Sequence, residues 1–176
     1  MLRKPINLEN FTVLPHHLFH NRWLLLTSGN FSANHYNTMT IGWGAIGTMW
    51  SKPFTFVAVR HSRFTFEFME KYDTFTLAAF PDIYHEALSL LGTRSGRDGN
   101  KITAAGLTPE ASSIVSAPSF VEADLIIECR KTYANDLDPE QFLDESIHKH
   151  YPHKDYHRIY YGEILKCMGS DLYLAD

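Results

Sequence analysis

Residues 36–68 constrain the fold more than any other stretch of this chain. Two runs rich in β-branched and aromatic residues, 37–43 and 54–60, flank a turn punctuated by Gly44, Gly47 and Pro53. Apolar runs of that length with turn residues between them predict paired strands. The second run is near-continuously apolar, as in a strand buried on both faces. It ends at Arg60 and passes through Ser62, Arg63 and Thr65 into a helix expected over 64–71, with Phe64 and Phe68 on one face and Ser62 as its N-cap. A helix start that offers free N–H groups, two hydroxyls and arginines suits a phosphate. Capping alone would also account for Ser62 and Thr65. The arginines favour the anion, because cations gather at the positive end of a helix dipole only when something negative meets them.

The first run has polar residues where a purely structural strand could be apolar. Asn37, Thr38 and Thr40 can offer amide and hydroxyl contacts to a polar heterocycle, with Met39 and Ile41 on the face opposite the two threonines. A solvated strand face reads equally well from these residues. Gly42, Gly44 and Gly47 permit close backbone approach, but no βαβ pattern surrounds them to make a dinucleotide fingerprint.

The 176 residues are expected to form one domain, with residues 1–22 as an irregular arm packing through Phe11, Leu14, Leu18 and Phe19. At 44% hydrophobic and 14% aromatic residues, a core is easily built. A formal net charge of −4 argues against a nonspecific nucleic-acid binder. No apolar run approaches the roughly 20 residues of a membrane span, and the N-terminus lacks a signal-peptide core, so a cytoplasmic protein is expected. Cys129 and Cys167 lie outside any CxxC pattern and read as two buried thiols.

Further along, residues 73–80 read as a strand and 82–91 as an amphipathic helix with Ile83, Ala87, Leu90 and Leu91 buried. The loop at 92–101 brings Arg94, Ser95, Arg97 and Lys101 together among glycines, which fits either a mobile connection or an anion clamp. Residues 121–129 alternate most clearly of all, with Glu122, Asp124 and Glu128 expected on a solvated face. Histidines 16, 17 and 20 and the four between 148 and 157 have no ligand spacing with a carboxylate, and no metal is assigned to them. Many short strands, few helices and no βαβ alternation predict a mainly β, antiparallel barrel with helical insertions.

Taken as a set, Asn37-x-x-Thr40-x-x-Trp43, Trp50-x-Lys52-Pro53 and Arg60-x-Ser62-Arg63-x-Thr65 resemble the flavin reductase-like, FMN-binding split barrels, over about residues 23–167. The resemblance implies a homodimer with FMN near the subunit interface. It implies the FMN phosphate on Arg60, Ser62, Arg63 and Thr65, with Lys101 assisting, and the flavin ring along Asn37, Thr38, Met39 and Thr40, with Trp50 as a stacking or edge contact. The family's Ser-Gly-x-x-x-x-Lys loop carries over to Ser95, Gly96 and Lys101. A histidine shortly before a Gly-Glu-Ile strand, near the flavin's reactive face, corresponds to His157, for which a satisfied core histidine is the competing reading. The implied activity is hydride transfer from NAD(P)H to FMN and onward to a flavin, metal chelate or protein. A flavoredoxin-like carrier without NAD(P)H turnover, a relative that binds haem or a deazaflavin, and a metal or hydrolytic site on the histidines are the alternatives.

Overall fold

A computed structural model describes residues 2–175. Eight strands share one antiparallel sheet: β1 (Lys4–Ile6), β2 (Leu24–Asn30), β3 (His35–Ile41), β4 (Gly44–Met49), β5 (Lys52–Arg60), β6 (Thr74–Ala79), β9 (Leu125–Asp136) and β10 (His157–Gly169). β7 (Pro109–Glu110) and β8 (Ser119–Phe120) form a separate two-stranded pair. The helices are α1 (Pro15–His17), which runs into a π turn at Leu18–Arg22, then α2 (Phe64–Lys71), α3 (His85–Thr93) and α4 (Lys101–Ala104).

The strand order β3-β2-β6-β9-β10-β5-β4 dictates the shape. Laid flat, seven strands at about 4.8 Å spacing would hold the outer two about 29 Å apart. Yet β3 and β4, the two ends of the order, are joined through Gly42 and Trp43 alone, a link that spans at most about 11 Å. The sheet must therefore roll up. The link is fixed by a hydrogen bond from the Ala58 amide to the Trp43 carbonyl at 3.3 Å. β10 is long enough to pair with β5 through its first half, with β1 through its last residues, and with β9 throughout.

Alternation assigns the faces. Leu24, Leu26, Met39, Ile41, Val57, Val59, Phe75, Leu77 and Ile127 fill the rolled interior, which α2 seals with Met69. Leu25, Ala78 and Ile126, the residues in between, form an outer layer under α3 and α4 with Leu88, Leu91 and Ile102. At about 25 cal/mol per Å² of apolar surface removed from water, these two clusters supply the main drive to fold. Cys129 and Cys167 are both buried and free, as read from the sequence.

Several expectations change. The N-terminal arm contributes β1 to the sheet and buries Leu18 and Phe19, but Leu14 is 76% exposed. Ile83 is likewise exposed, because residues 82–84 form a 3₁₀ turn ahead of α3. Ser62 is not the N-cap of α2. It lies in a turn closed by Arg63 N–H to Arg60 C=O at 3.0 Å, while the helix itself runs over Phe64–Lys71 as expected, with Arg63 at the cap and no side chain capping it. The alternating 121–129 segment becomes a strand only from Leu125, and two of its three acidic residues, Asp124 and Glu128, are not solvated. Asp124 is 1% exposed and binds Arg22 (2.7 Å) and the Tyr173 hydroxyl (2.8 Å). Glu128 is 2% exposed and accepts from the Ser113, Ile114 and Val115 amides and the Ser113 hydroxyl. A buried carboxylate persists when its lone pairs are filled in this way.

Candidate functional site

Two neighbouring cavities meet along β3. The first, of about 240 Å³, lies between the N-terminus of α2 and the 92–101 loop, with Asn37, Ser62, Arg63, Thr65, Ser95, Gly96 and Lys101 on its walls. The fold thus assembles seven of the residues singled out in the sequence. β5 ends at Arg60, the turn at Ser62 reverses the chain, and Arg63 stands at the start of α2 with the N–H groups of the first turn unclaimed by any capping side chain. Asn37 donates to Thr65 Oγ1 at 2.8 Å, tying β3 to the helix. The loop presses so close that a Cβ on Gly96 would lie 2.3 Å from Asn37 Oδ1, so only glycine fits.

The charge in this cavity is unbalanced. Arg3, Arg22, Arg60 and Arg158 each reach a carboxylate. Arg63 reaches only the Gly92 carbonyl, and the Lys101 ammonium only the Leu91 (2.9 Å) and Arg94 (3.0 Å) carbonyls, which leaves one of its protons uncommitted among the described residues. Burial, and then the neighbouring Arg63, pull Lys101 down to about 8. Burial and then Arg60 lower Arg63 as well. A half-buried arginine and a buried lysine, neither with a carboxylate partner, beside free helix N–H groups are an arrangement that suits an anion.

The second cavity, of about 200 Å³, continues along β3 and is walled by Met39, Thr40, Trp43, Ala58, Arg60 and His157. β3 is an edge of the strand order, so alternate residues turn N–H and C=O groups away from β2. Register sets His157 opposite Arg60. Burial, followed by Arg60, lowers His157 to about 4, so the imidazole is neutral at physiological pH.

Arg60 is placed here and not at the basic cavity. Its guanidinium binds Asp155 (2.6 Å) and the His150 carbonyl (2.8 Å). Two other predicted residues line neither cavity. Thr38 is fully buried, with its hydroxyl given to the Leu26 carbonyl and bonded by Thr27. Trp50 is 61% exposed in the β4–β5 hairpin turn, with φ +53°. Two residues packed around His157 escaped the sequence reading as site residues. Trp43 packs on His157 with ring centroids 4.8 Å apart, and Tyr151 bonds His157. Trp43 stood in the motif but read as a strand residue, and Tyr151 lies in a segment with no periodicity. Among the described residues no group of three or more His, Cys, Asp or Glu side chains is placed to hold a metal, and no helix is long and apolar enough to cross a membrane.

The family model of the flavin reductase like domain matches residues 17–173. Among solved structures, an FMN-binding domain of a flavin reductase-like enzyme from Shewanella baltica OS155 superposes with a TM-score of 0.67 at 14% identity, over 96% of this chain and 77% of that one. Flavoredoxin of Desulfovibrio vulgaris (Miyazaki F) gives 0.67 at 19% identity, over 94% and 80%. An NADH:FAD oxidoreductase of Streptomyces globisporus C-1027 gives 0.65 at 13% identity, over 86% and 76%. No curated protein matches the sequence. With the rolled sheet, the edge strand and the basic helix start all within residues 17–173, the chain belongs to the flavin reductase like domain family.

Proposed function

We propose that this protein binds FMN across the two cavities and acts as a flavin reductase-like oxidoreductase, reduced by NAD(P)H and passing electrons to a flavin, a metal chelate or a protein. The observation that carries the reading is the pair Arg63 and Lys101, a half-buried and a buried cation without a carboxylate beside the uncapped start of α2. A phosphate dianion supplies the missing charge and accepts from the first-turn amides, Ser62, Ser95 and the free Lys101 proton. These residues fit the phosphate end of FMN. The strand-edge cavity fits the ring end, because β3 offers alternating main-chain donors and acceptors and Trp43 and Met39 give apolar surface.

FMN, when bound, supplies two-electron redox chemistry that the side chains lack. The chain's own tasks are to hold the phosphate, orient the ring along Asn37–Ile41 and keep a neutral imidazole, His157, beside it. Thr40 is committed to the Leu88 carbonyl at 2.5 Å, so its part is to fix α3 against β3. The strand-edge cavity is open to solvent, so a nicotinamide can stack directly against the ring. We further propose a homodimer, argued in the Discussion.

The second reading is an FMN-binding electron carrier reduced by another protein, favoured by the likeness to flavoredoxin. An absorption spectrum of the purified protein, taken before and after anaerobic NADH and then NADPH, separates the two. Flavin bands that bleach with a nucleotide support the reductase, and bands that persist support the carrier. A colourless protein that also fails to take up added FMN would remove both.

A further inference from the structure

The 3₁₀-rich segment between β9 and β10 packs behind Trp43 and His157, which line the strand-edge cavity, through a contact that the roles above do not use. Tyr151 is 4% exposed, and its hydroxyl lies 2.8 Å from His157 Nδ1. Trp43 stands edge-on to Tyr151 at 6.5 Å and against the imidazole at 4.8 Å. Arg60 covers the Tyr151 ring at 4.9 Å while binding Asp155 and the His150 carbonyl, which clamps the segment to β5. The predicted phosphate arginine is thus part of the device that seats Tyr151.

A phenol has one proton to give. Burial, the largest influence on Tyr151, favours its neutral form. Among the described residues its one hydrogen-bond partner is His157 Nδ1. If the hydroxyl donates, Nδ1 is the bare nitrogen and the imidazole proton sits on Nε2. Nε2 has no protein partner among the described residues, and His157 lines the cavity. The titratable groups around the ring are Arg60 from β5, His61 from the turn after it, and His150, Tyr151 and Asp155 from the covering segment. Of these, Arg60 and His61 disfavour a second proton on the ring and Asp155 favours one, while burial outweighs all three.

We propose that Tyr151 is a positioning residue: its hydroxyl fixes His157 as the Nε2–H tautomer and so keeps a neutral hydrogen-bond donor available to a carbonyl oxygen or ring nitrogen of a planar heteroaromatic guest in the strand-edge cavity. This rests on the ring-binding reading for its guest, but not for its geometry.

The test is long-range ¹H–¹⁵N NMR of the imidazoles in the full-length chain, with and without added FMN, for the native protein, Tyr151→Phe and Tyr156→Phe. The expected native pattern has Nε2 protonated and Nδ1 bare across neutral pH. Tyr151→Phe should give a tautomer mixture and a severalfold higher proton affinity at His157. Tyr156→Phe removes a neighbouring hydroxyl that does not touch His157, and should leave the pattern unchanged. In FMN-loaded protein, Tyr151→Phe should slow reduction by NADH or NADPH severalfold while the FMN dissociation constant changes less than twofold. A native ring protonated on Nδ1, or a tautomer indifferent to Tyr151→Phe, would overturn the proposal. Failure to bind FMN would remove the function proposed above, while the spectra without flavin would still decide the role of Tyr151.

Discussion

Arg63 and Lys101 are cations that the fold leaves without a carboxylate partner among the described residues. Arg63 is half-buried, Lys101 is buried, and their hydrogen bonds go to carbonyls alone. Arg63→Ala should weaken FMN binding by about 1.5–3 kcal/mol, a factor of roughly 10 to 150. A titration following flavin fluorescence checks it, and unchanged affinity would move the phosphate elsewhere. Arg60→Ala should cost the phosphate far less, because that guanidinium is neutralised by Asp155. Lys101 adds a pH dependence of definite sign. It is held down to about 8 by burial and then by Arg63, whereas an adjacent phosphate favours the ammonium and raises it. Binding therefore takes up a proton above about pH 8, and affinity should fall as pH rises from 7 to 9. The second phosphate ionisation, near 6, lies below this window. Lys101→Met should bind more weakly and lose the slope, and a native affinity independent of pH over that range would exclude the lysine from the phosphate. Stability of the ligand-free chain runs the other way. The unfolded lysine, near 10.4, binds the proton more tightly than the folded one, so stability rises with pH between about 8 and 10.4.

Elements whose partners are close in sequence were legible, and those completed by distant segments were not. The helix at Phe64–Lys71 and the strands β5 and β6 follow the local sequence pattern to within about two residues. Asn37, Ser62, Arg63 and Thr65 could be joined because they lie in one stretch of chain, although the two runs read as paired strands are not partners: β3 pairs with β2, and β5 pairs with β4, in the stretch read as a turn. The acidic face at Asp124 and Glu128 misled, since alternation separates two faces but cannot tell which one a later segment will cover. Here residues 112–116 return over Glu128, and Arg22 reaches Asp124 from the arm. Arg60 misled for the same reason, as Asp155 lies 95 residues away. The 92–101 loop had two readings, and its packing speaks against the mobile connection: Asn100 caps α4, Ser95 accepts from the Arg97 amide, and Gly96 rests against Asn37. Gly96→Ala would bring its Cβ to 2.3 Å from Asn37 Oδ1 and 2.9 Å from Phe64 Cδ1. The loop must then lift off β3. FMN affinity should fall at least about tenfold, the scale of one lost charge-assisted contact, while the thermal midpoint moves little because the loop tip is exposed. Equal losses in both measurements would mean that the loop is structural.

For the whole molecule, the helices crowd one side of the rolled sheet and leave the other bare. α2 and α3 pack on β2 and β3, whereas β4, β5, β9 and β10 present Phe54, Phe56, Tyr133 and Tyr161 outward around Trp50. Tyr133 is 52% exposed and Trp50 61%. A contiguous aromatic patch on a sheet face marks an association surface, and aromatic residues dominate such contacts. Its rim carries Lys52 and Arg130, both bound to Glu163, which leaves little net charge to repel a second copy. The hairpin that carries Trp50 supports the same reading. A two-residue turn with φ of +53° at Trp50 and +58° at Ser51 belongs to Asn-Gly or Gly-Gly sequences. Holding a tryptophan there costs on the order of 1 kcal/mol, a cost with a use if the indole is covered by a partner. Trp50→Gly separates the two effects. It should relax the turn, so that monomer stability is unchanged or higher, while shifting the proposed homodimer toward monomer by tenfold or more in dissociation constant. Sedimentation equilibrium read beside denaturant unfolding at low concentration checks both at once. If the native chain sediments as a monomer, the aromatic face needs another partner. If Trp50→Gly leaves a dimer intact, the interface lies elsewhere on the barrel.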